Sequence, residues 1–210
     1  MTRRLVLASA SPARLATLRA AGLAPEVVVS GVDESQVTTP DPAALAVELA
    51  RLKARAVAGP LAGTSDAWVI GCDSVLELDG AVHGKPASPE QARDRWRAMR
   101  GRSGVLHTGH CLVDTGTGDE VARSADTLVH FAEVTDAEIV AYVQTGEPLR
   151  VAGAFTLDGL GGAFVRGIEG DPHTVVGIGL PLLREMFAEL GVAWPELWRM
   201  FPVTDDGGSP

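Results

Sequence analysis

Near the start of the chain, the apolar run Leu5-Val-Leu7 leads into two hydroxyls and a cation, Ser9, Ser11 and Arg14, with Pro12 among them. The next apolar run, Val27-Val-Val29, leads into a carboxylate pair, Asp33-Glu34. Hydroxyls and an arginine beside a helix N-terminus suit an anion, whereas carboxylates suit a hard divalent cation. A site that joins the two is equipped to hold a phosphate chain together with a metal. Three further residues extend this chemistry. Asp73 follows the apolar run Trp68-Val-Ile70 and Gly71, and a carboxylate at such a strand end would face the ligand crevice of an α/β fold. Lys53 flanks an apolar stripe, Leu45, Leu49, Leu52 and Ala56, from which its long stem can emerge into a cleft. Lys85, in Gly84-Lys-Pro86, can act as a point charge on a loop stiffened by proline. Each residue also has a plainer reading, as a turn aspartate, a solvated acidic pair or a surface lysine, so the set carries more weight than its members.

Other chemistries are disfavoured. Gly80 to Lys85 has the wrong glycine spacing for a Walker A loop, and Pro86 stands where the magnesium-binding Ser or Thr belongs. Gly159-Leu-Gly-Gly162 lacks the spacing of a dinucleotide fingerprint. Val75 stands where a dehalogenase-type nucleophile would have its second carboxylate. His107 and His110 lack a third metal ligand nearby in sequence.

The elements that must position these residues can be read from pattern and punctuation. Residues 4–8 read as a buried strand, and Pro12 opens a helix to about residue 21, stopped by Gly22. Residues 26–30 read as a second strand. Asp41 caps a long helix to about residue 58. The strand at 68–70 is followed by a hairpin around Asp79-Gly80. Ser88 opens a helix to about residue 100, and strands at 105–113 and 121–134 flank a turn at 115–119. A capping box opens a helix at 135–145, a strand is expected at 163–168 and a last helix at 181–190. The mix of βα units and long hairpins implies a mixed sheet. The expected organisation is one domain over residues 1–204 and a frayed tail at 205–210.

A chain of 210 residues with 46% hydrophobic and 21% charged residues can bury a sizeable core. The net charge of −9 argues against non-specific nucleic-acid binding, so a polyanionic ligand would need local cations or a metal. Cys72 and Cys111 have no zinc or disulfide spacing and read as buried thiols in a reducing compartment. With no signal-type or membrane-spanning window, the expectation is a cytoplasmic protein with no membrane partner.

These residues fall, in order, on a pattern that resembles the Maf family of nucleoside triphosphate pyrophosphatases. The matching segments include Leu7-Ala-Ser-Ala-Ser-Pro-Ala-Arg14, Val32-Asp-Glu34, Leu49-Ala-Arg-Leu-Lys53, Gly71-Cys-Asp73-Ser-Val75 and Gly84-Lys85-Pro86. They continue through Tyr142-Val-Gln-Thr-Gly-Glu-Pro148, Ala152-Gly-Ala154, Gly159-Leu-Gly-Gly-Ala-Phe-Val165, Ile168-Glu-Gly170 and Val175-Val-Gly177. The resemblance implies an α/β fold, an elongated mixed β-sheet flanked by helices, with two lobes around a deep nucleotide-binding cleft. It implies hydrolysis of nucleoside triphosphates to monophosphate and pyrophosphate, a divalent metal cofactor (Mg2+, with Mn2+ as an option), and a homodimer. By similarity, Asp73 is the catalytic proton acceptor, Glu34 and Asp73 hold the metal, and Ser9, Arg14, Lys53 and Lys85 bind the triphosphate.

The chain also departs from the family pattern. A customary second arginine is Ala13, and a customary glutamate before the helix lysine is Leu52. The base-reading positions carry Ser74 and Asp158, and Gly170-Asp-Pro-His-Thr174 replaces a loop that usually contains Ser-Tyr. The expectation is retained chemistry, with the base choice left open between pyrimidine and modified nucleotides. The rival reading, also drawn from the family, is a nucleotide-binding regulator of cell division with slow or incidental catalysis.

Overall fold

A computed structural model describes residues 3–203; the tail expected at 205–210 lies outside the described residues. In chain order the elements are β1 (Arg4–Leu7), α1 (Pro12–Ala20), β2 (Glu26–Val27), α2 (Pro42–Ala58), β3 (Ala67–Leu78), β4 (Ala81–His83), α3 (Pro89–Met99), β5 (Ser103–Asp114), β6 (Glu120–Phe131), α4 (Asp136–Gln144), β7 (Val165–Glu169), α5 (Pro172–Val176), α6 (Leu180–Glu189) and α7 (Trp194–Met200). The early helices start where side-chain oxygens can satisfy free N–H groups. Ser11, Asp41 and Ser88 each accept from the third residue onward, and Thr135 with Glu138 forms a complete capping box. Asp79 and Gly80 both take positive φ, as the tight β3–β4 hairpin requires.

The mixed seven-stranded sheet runs β2-β1-β3-β5-β6-β7, with β4 also on β3. β1 pairs with β3 in parallel and β5 pairs with it antiparallel. On one side β3 is paired with β5 from Trp68 to Glu77. On the other, the β1 ladder ends at Ile70 and the β4 ladder begins at Leu76. Residues 71–75 therefore have an open edge between two partners, and Asp73 lies at its centre. This corrects the reading of Asp73 as a strand-end residue. The strand does not stop at Gly71 but crosses the molecule, and the crevice is opened by its neighbours' ends.

Helix α2 lies almost directly on this strand pair. A Cβ on Gly71 would stand 2.3 Å from the carbonyl oxygen of Ala50, and one on Gly109 would stand 2.1 Å from that of Ala46. The buried face of α2 is accordingly built from Ala46, Ala50, Ala54 and Val57 together with Leu49, not from the expected leucine stripe. Leu45 and Leu49 instead line the cleft, and Lys53, one turn beyond Leu49, continues their row.

Hydrophobic clusters fill both faces and the far end. Trp68, Ile70, Phe187 and Leu197 pack under α1, α6 and α7, while Trp96, Phe131, Tyr142 and Phe155 pack around α3 and α4. These make the two lobes. Several boundaries differ from the sequence reading. The second strand is only two exposed residues: Val28 still donates to the Leu7 carbonyl at 3.1 Å, and Val29 beyond it lines the cleft. The short helices α5 and α7 went unforeseen; α7 carries the aromatic residues at 194–201, and Trp194 and Phe201 pack within the chain at 6.1 Å from Phe187 and Trp68 respectively. No described helix is long and apolar enough to cross a membrane.

Because the obstacle at Gly71 and Gly109 is helix backbone, Gly71→Ala and Gly109→Ala should each lower stability by about 3 kcal/mol. Urea unfolding checks this: the midpoint should fall sharply for both, and a shift under about 0.5 kcal/mol at either would show that α2 does not rest on the sheet as described.

Candidate active site

A cleft of about 1210 Å³ opens at the free edge of β3 and is lined from both lobes. At its charged end, Lys53 Nζ donates to Asp73 Oδ1 at 2.5 Å and pairs with Glu34 Oε1 at 2.8 Å. Two carboxylates from distant segments thus converge on one point. Glu34 reaches it because its neighbour Asp33 is otherwise engaged. Asp33 caps a short 3-10 turn by accepting from Ser35 N at 3.1 Å, Ser35 Oγ at 2.6 Å and Gln36 Nε2 at 3.1 Å. Those donors hold the Asp33 carboxyl below its usual pKa, the Ser35 hydroxyl most of all. The acidic pair therefore divides into one structural and one site residue.

Alternation along β3 sends Gly71 and Asp73 toward α2, and Cys72 and Ser74 to the opposite face. There Arg14 is a hub. It donates to the carbonyls of Gly177 and Cys72, each at 2.8 Å, to Ser9 Oγ at 3.1 Å and to Ser74 Oγ at 3.2 Å. These bonds engage four of its five N–H donors and leave one free on a residue that lines the cleft. Ser74 also shares a hydrogen bond with Thr108 at 2.9 Å, and Thr108 Oγ1 donates to the Thr174 carbonyl at 2.9 Å. Ser74, expected to read a base, is thereby tied to the Arg14 hub and to α5. The substituted loop before α5 has a structural part, since Asp171 accepts from the amides of His173 and Thr174.

Lys85 is exposed at the cleft and makes no ion pair among the described residues. Its loop is held from beneath: the Gly84 carbonyl accepts from the buried Arg95 at 2.5 Å and from Gly153 N at 3.1 Å. Beyond Lys85 the lining turns apolar with Val75, Leu106 and Phe155, and the exposed Asp158 stands beside them. The structure therefore gathers every expected site residue, Ser9, Arg14, Glu34, Lys53, Asp73, Ser74, Lys85 and Asp158, into one cleft. Sequence reasoning passed over Arg95, Thr108 and Phe155. It gave Glu147 no part, although Gly146-Glu-Pro148 stands just ahead of the glycine-rich stretch at 152–171.

Three buried titratable groups, His110, Cys72 and Cys111, lie outside the cleft lining. His110 is buried, its Nδ1 bonding the Thr108 carbonyl at 3.0 Å while Nε2 accepts from Gly179 N at 2.7 Å. Burial first, and then nearby Arg14, push its pKa down to about 4. Burial likewise pushes the Cys72 and Cys111 thiols up to about 11 and about 12, so both remain protonated.

The family model described as Maf-like protein matches residues 4–190. A nucleoside triphosphate pyrophosphatase of Streptomyces coelicolor is 60% identical over 196 residues, covering 93% of this chain and 95% of that one. One of Salinispora tropica is 61% identical over 197 residues, covering 93% and 87%. A solved structure, a nucleoside-triphosphatase (dITP/XTP pyrophosphatase) of Mycobacterium abscessus, is 17% identical, covers 62% of this chain and 75% of that one, and has a TM-score of 0.39, too distant to carry an argument.

His110 also makes stability depend on pH. The folded pKa of about 4 lies below the ordinary 6.5, so the unfolded chain binds a proton first as pH falls. Its contribution is full above about pH 6.5 and is lost progressively toward pH 4, by about 3 kcal/mol in all. Denaturation at stepped pH should show this slope, with the His110 ring still neutral by NMR at pH 5; a ring already charged there would contradict the assignment.

Proposed function

The chain belongs to the Maf family, and on that premise and the chemistry of its cleft we propose that it hydrolyses nucleoside triphosphates to nucleoside monophosphate and pyrophosphate. The observation that carries this reading is the convergence of Asp73, Glu34 and Lys53 at the open edge of β3, with Arg14 and Lys85 nearby. Net charge would repel a polyphosphate, but Lys53, Arg14 and Lys85 line the cleft itself and offset the carboxylates there. The apolar end beside Phe155 and Leu106 suits a base.

A divalent metal fits the donor set. Both carboxylate oxygens come within hydrogen-bond distance of Lys53 Nζ, so two hard donors stand close together, and a metal between them would take over the place that the ammonium now fills. Among the described residues no group of three His, Cys, Asp or Glu could hold a metal. Two carboxylates completed by substrate phosphate oxygens is the arrangement magnesium favours. Glu34 and Asp73 would hold it, and when bound it would neutralise phosphate charge and acidify a water.

The chain's own residues supply the rest. Asp73 accepts the proton of the attacking water, whose oxygen forms a bond to the α phosphorus as the bond to the bridging oxygen breaks. The leaving pyrophosphate carries away the negative charge, and Lys53 and Lys85 stabilise it. Arg14 holds Ser9 in place and offers its remaining N–H to a phosphate. Ser74 keeps that hub aligned rather than reading the base. Asp158, acceptor-only when ionised, favours bases that present an exocyclic amine, cytosine and guanine types over uracil types. We further propose a homodimer, as the family resemblance implies, in the cytoplasm, where a reducing environment would leave Cys72 and Cys111 free as they are here.

The test is product analysis with magnesium and a panel of normal and modified nucleoside triphosphates. The wild type should release pyrophosphate, and Asp73→Asn should lose about 10²–10⁴-fold in kcat while still binding nucleotide. Nucleotide binding without turnover in the wild type would favour the division-regulator reading instead. Within the same panel CTP or a modified GTP should exceed UTP and dTTP in kcat/KM. The reverse order would remove Asp158 from base selection.

A further inference from the structure

Glu147 lies outside the charged end of the cleft, yet its carboxylate is among the most heavily bonded in the molecule. Oε1 accepts from the Tyr142 hydroxyl at 2.7 Å, from Thr156 Oγ1 at 2.6 Å and from Gly161 N at 3.0 Å. Oε2 accepts from Leu160 N at 3.1 Å. Apart from Tyr142, these donors sit at the two ends of one loop, residue 156 and residues 160–161, and the span between them carries Asp158. The backbone is pressed onto the anchor: a Cβ on Gly159 would stand 2.6 Å from Glu147 Oε2, and one on Gly161 would stand 2.3 Å from the Tyr142 hydroxyl. Only glycine allows that approach.

We propose that Glu147 is a positioning residue for base selection, fixing the 156–161 loop and with it Asp158 at the apolar end of the cleft. This rests on the nucleotide reading of that cleft and deepens it. The anchor is rigid because Tyr142 belongs to the second lobe's aromatic core, 5.5 Å from Trp96 and 5.4 Å from Phe164 between ring centres. It is also separate from the Lys53, Glu34 and Asp73 cluster, which is built on α2, the segment after β2 and β3. Burial alone would raise the Glu147 pKa, but the hydroxyls of Thr156 and Tyr142 and the amides of Gly161 and Leu160 outweigh it and hold the carboxyl below its usual range. Four donors on two oxygens require a carboxylate. A glutamine would turn an NH2 toward at least one of them and release one end of the loop.

Binding of products tests this without any need for turnover. CMP, UMP, GMP, AMP and pyrophosphate are titrated calorimetrically into wild type and Glu147→Gln. The ratio between the tightest and weakest monophosphate should fall about fivefold or more in the variant, while pyrophosphate affinity changes less than about twofold. Thr156→Val, which removes one of the four bonds, should give a smaller fall in the same direction and serves if Glu147→Gln does not fold. Unchanged ratios, a parallel loss of pyrophosphate affinity, or a wild type that binds all monophosphates equally would each overturn the proposal. Absence of pyrophosphate release from triphosphates by a wild type that still discriminates among monophosphates would sink the catalytic reading and leave this one standing.

Discussion

The close seating of α2 on β3 and β5 is the constraint on which the rest depends. Two glycines, Gly71 and Gly109, remove the side chains that would hold the helix away, and three alanines on α2 complete the contact. At that distance Lys53, on the cleft side of the helix, reaches Asp73 two residues beyond Gly71 on the same strand face. A helix held farther out by larger side chains would leave the lysine short of the carboxylate and Glu34 without the cation that orients it.

The site is then a matter of edges and faces. β1 and β4 both pair with the same side of β3 and leave a gap between them, so one internal stretch of a strand is open to ligand. Its two faces deliver different groups: Asp73 toward Lys53, Ser74 toward Arg14. Arg14 shows how one residue serves structure and ligand together. Its bonds to Gly177, Cys72, Ser9 and Ser74 tie α1, β3 and the segment after α5, and the same geometry fixes the direction of its remaining donor.

The two lobes divide the work on the substrate. The parallel part of the sheet with α1 and α2 supplies most of the charge, and the antiparallel part with α3 and α4 supplies Lys85, apolar walls and the loop that carries Asp158. Because each lobe has its own aromatic or aliphatic core, changes near residues 156–161 can alter the apolar end while the charged end keeps its geometry. The departures from the family pattern at Ser74, Asp158 and the 170–174 loop fall outside the Lys53, Glu34 and Asp73 cluster.

Much of this was legible in the residues themselves. Helix starts at Ser11, Asp41, Ser88 and Thr135 are local events, since a cap bonds to an amide only a few residues away. The hairpin at Asp79-Gly80 is local for the same reason, and the types of Asp73, Glu34, Lys53 and Lys85 announce their chemistry. Other features depend on partners far away in sequence. That Asp73 lies within a strand rather than at its end follows from where β1 and β4 stop pairing. That α2 seats alanines against the strand pair follows from glycines on two strands, one before and one after the hairpin. That Asp33 caps a turn is a local event too, but that Glu34 meets Lys53, and that Glu147 gathers a loop nine to fourteen residues downstream, depends on partners farther along the chain that no local pattern encodes. The sequence by itself determined which chemical groups were present and where helices began; the tertiary structure alone decided which of them meet, because meeting is set by helix–sheet distance and strand register, both properties of residues brought together from across the chain.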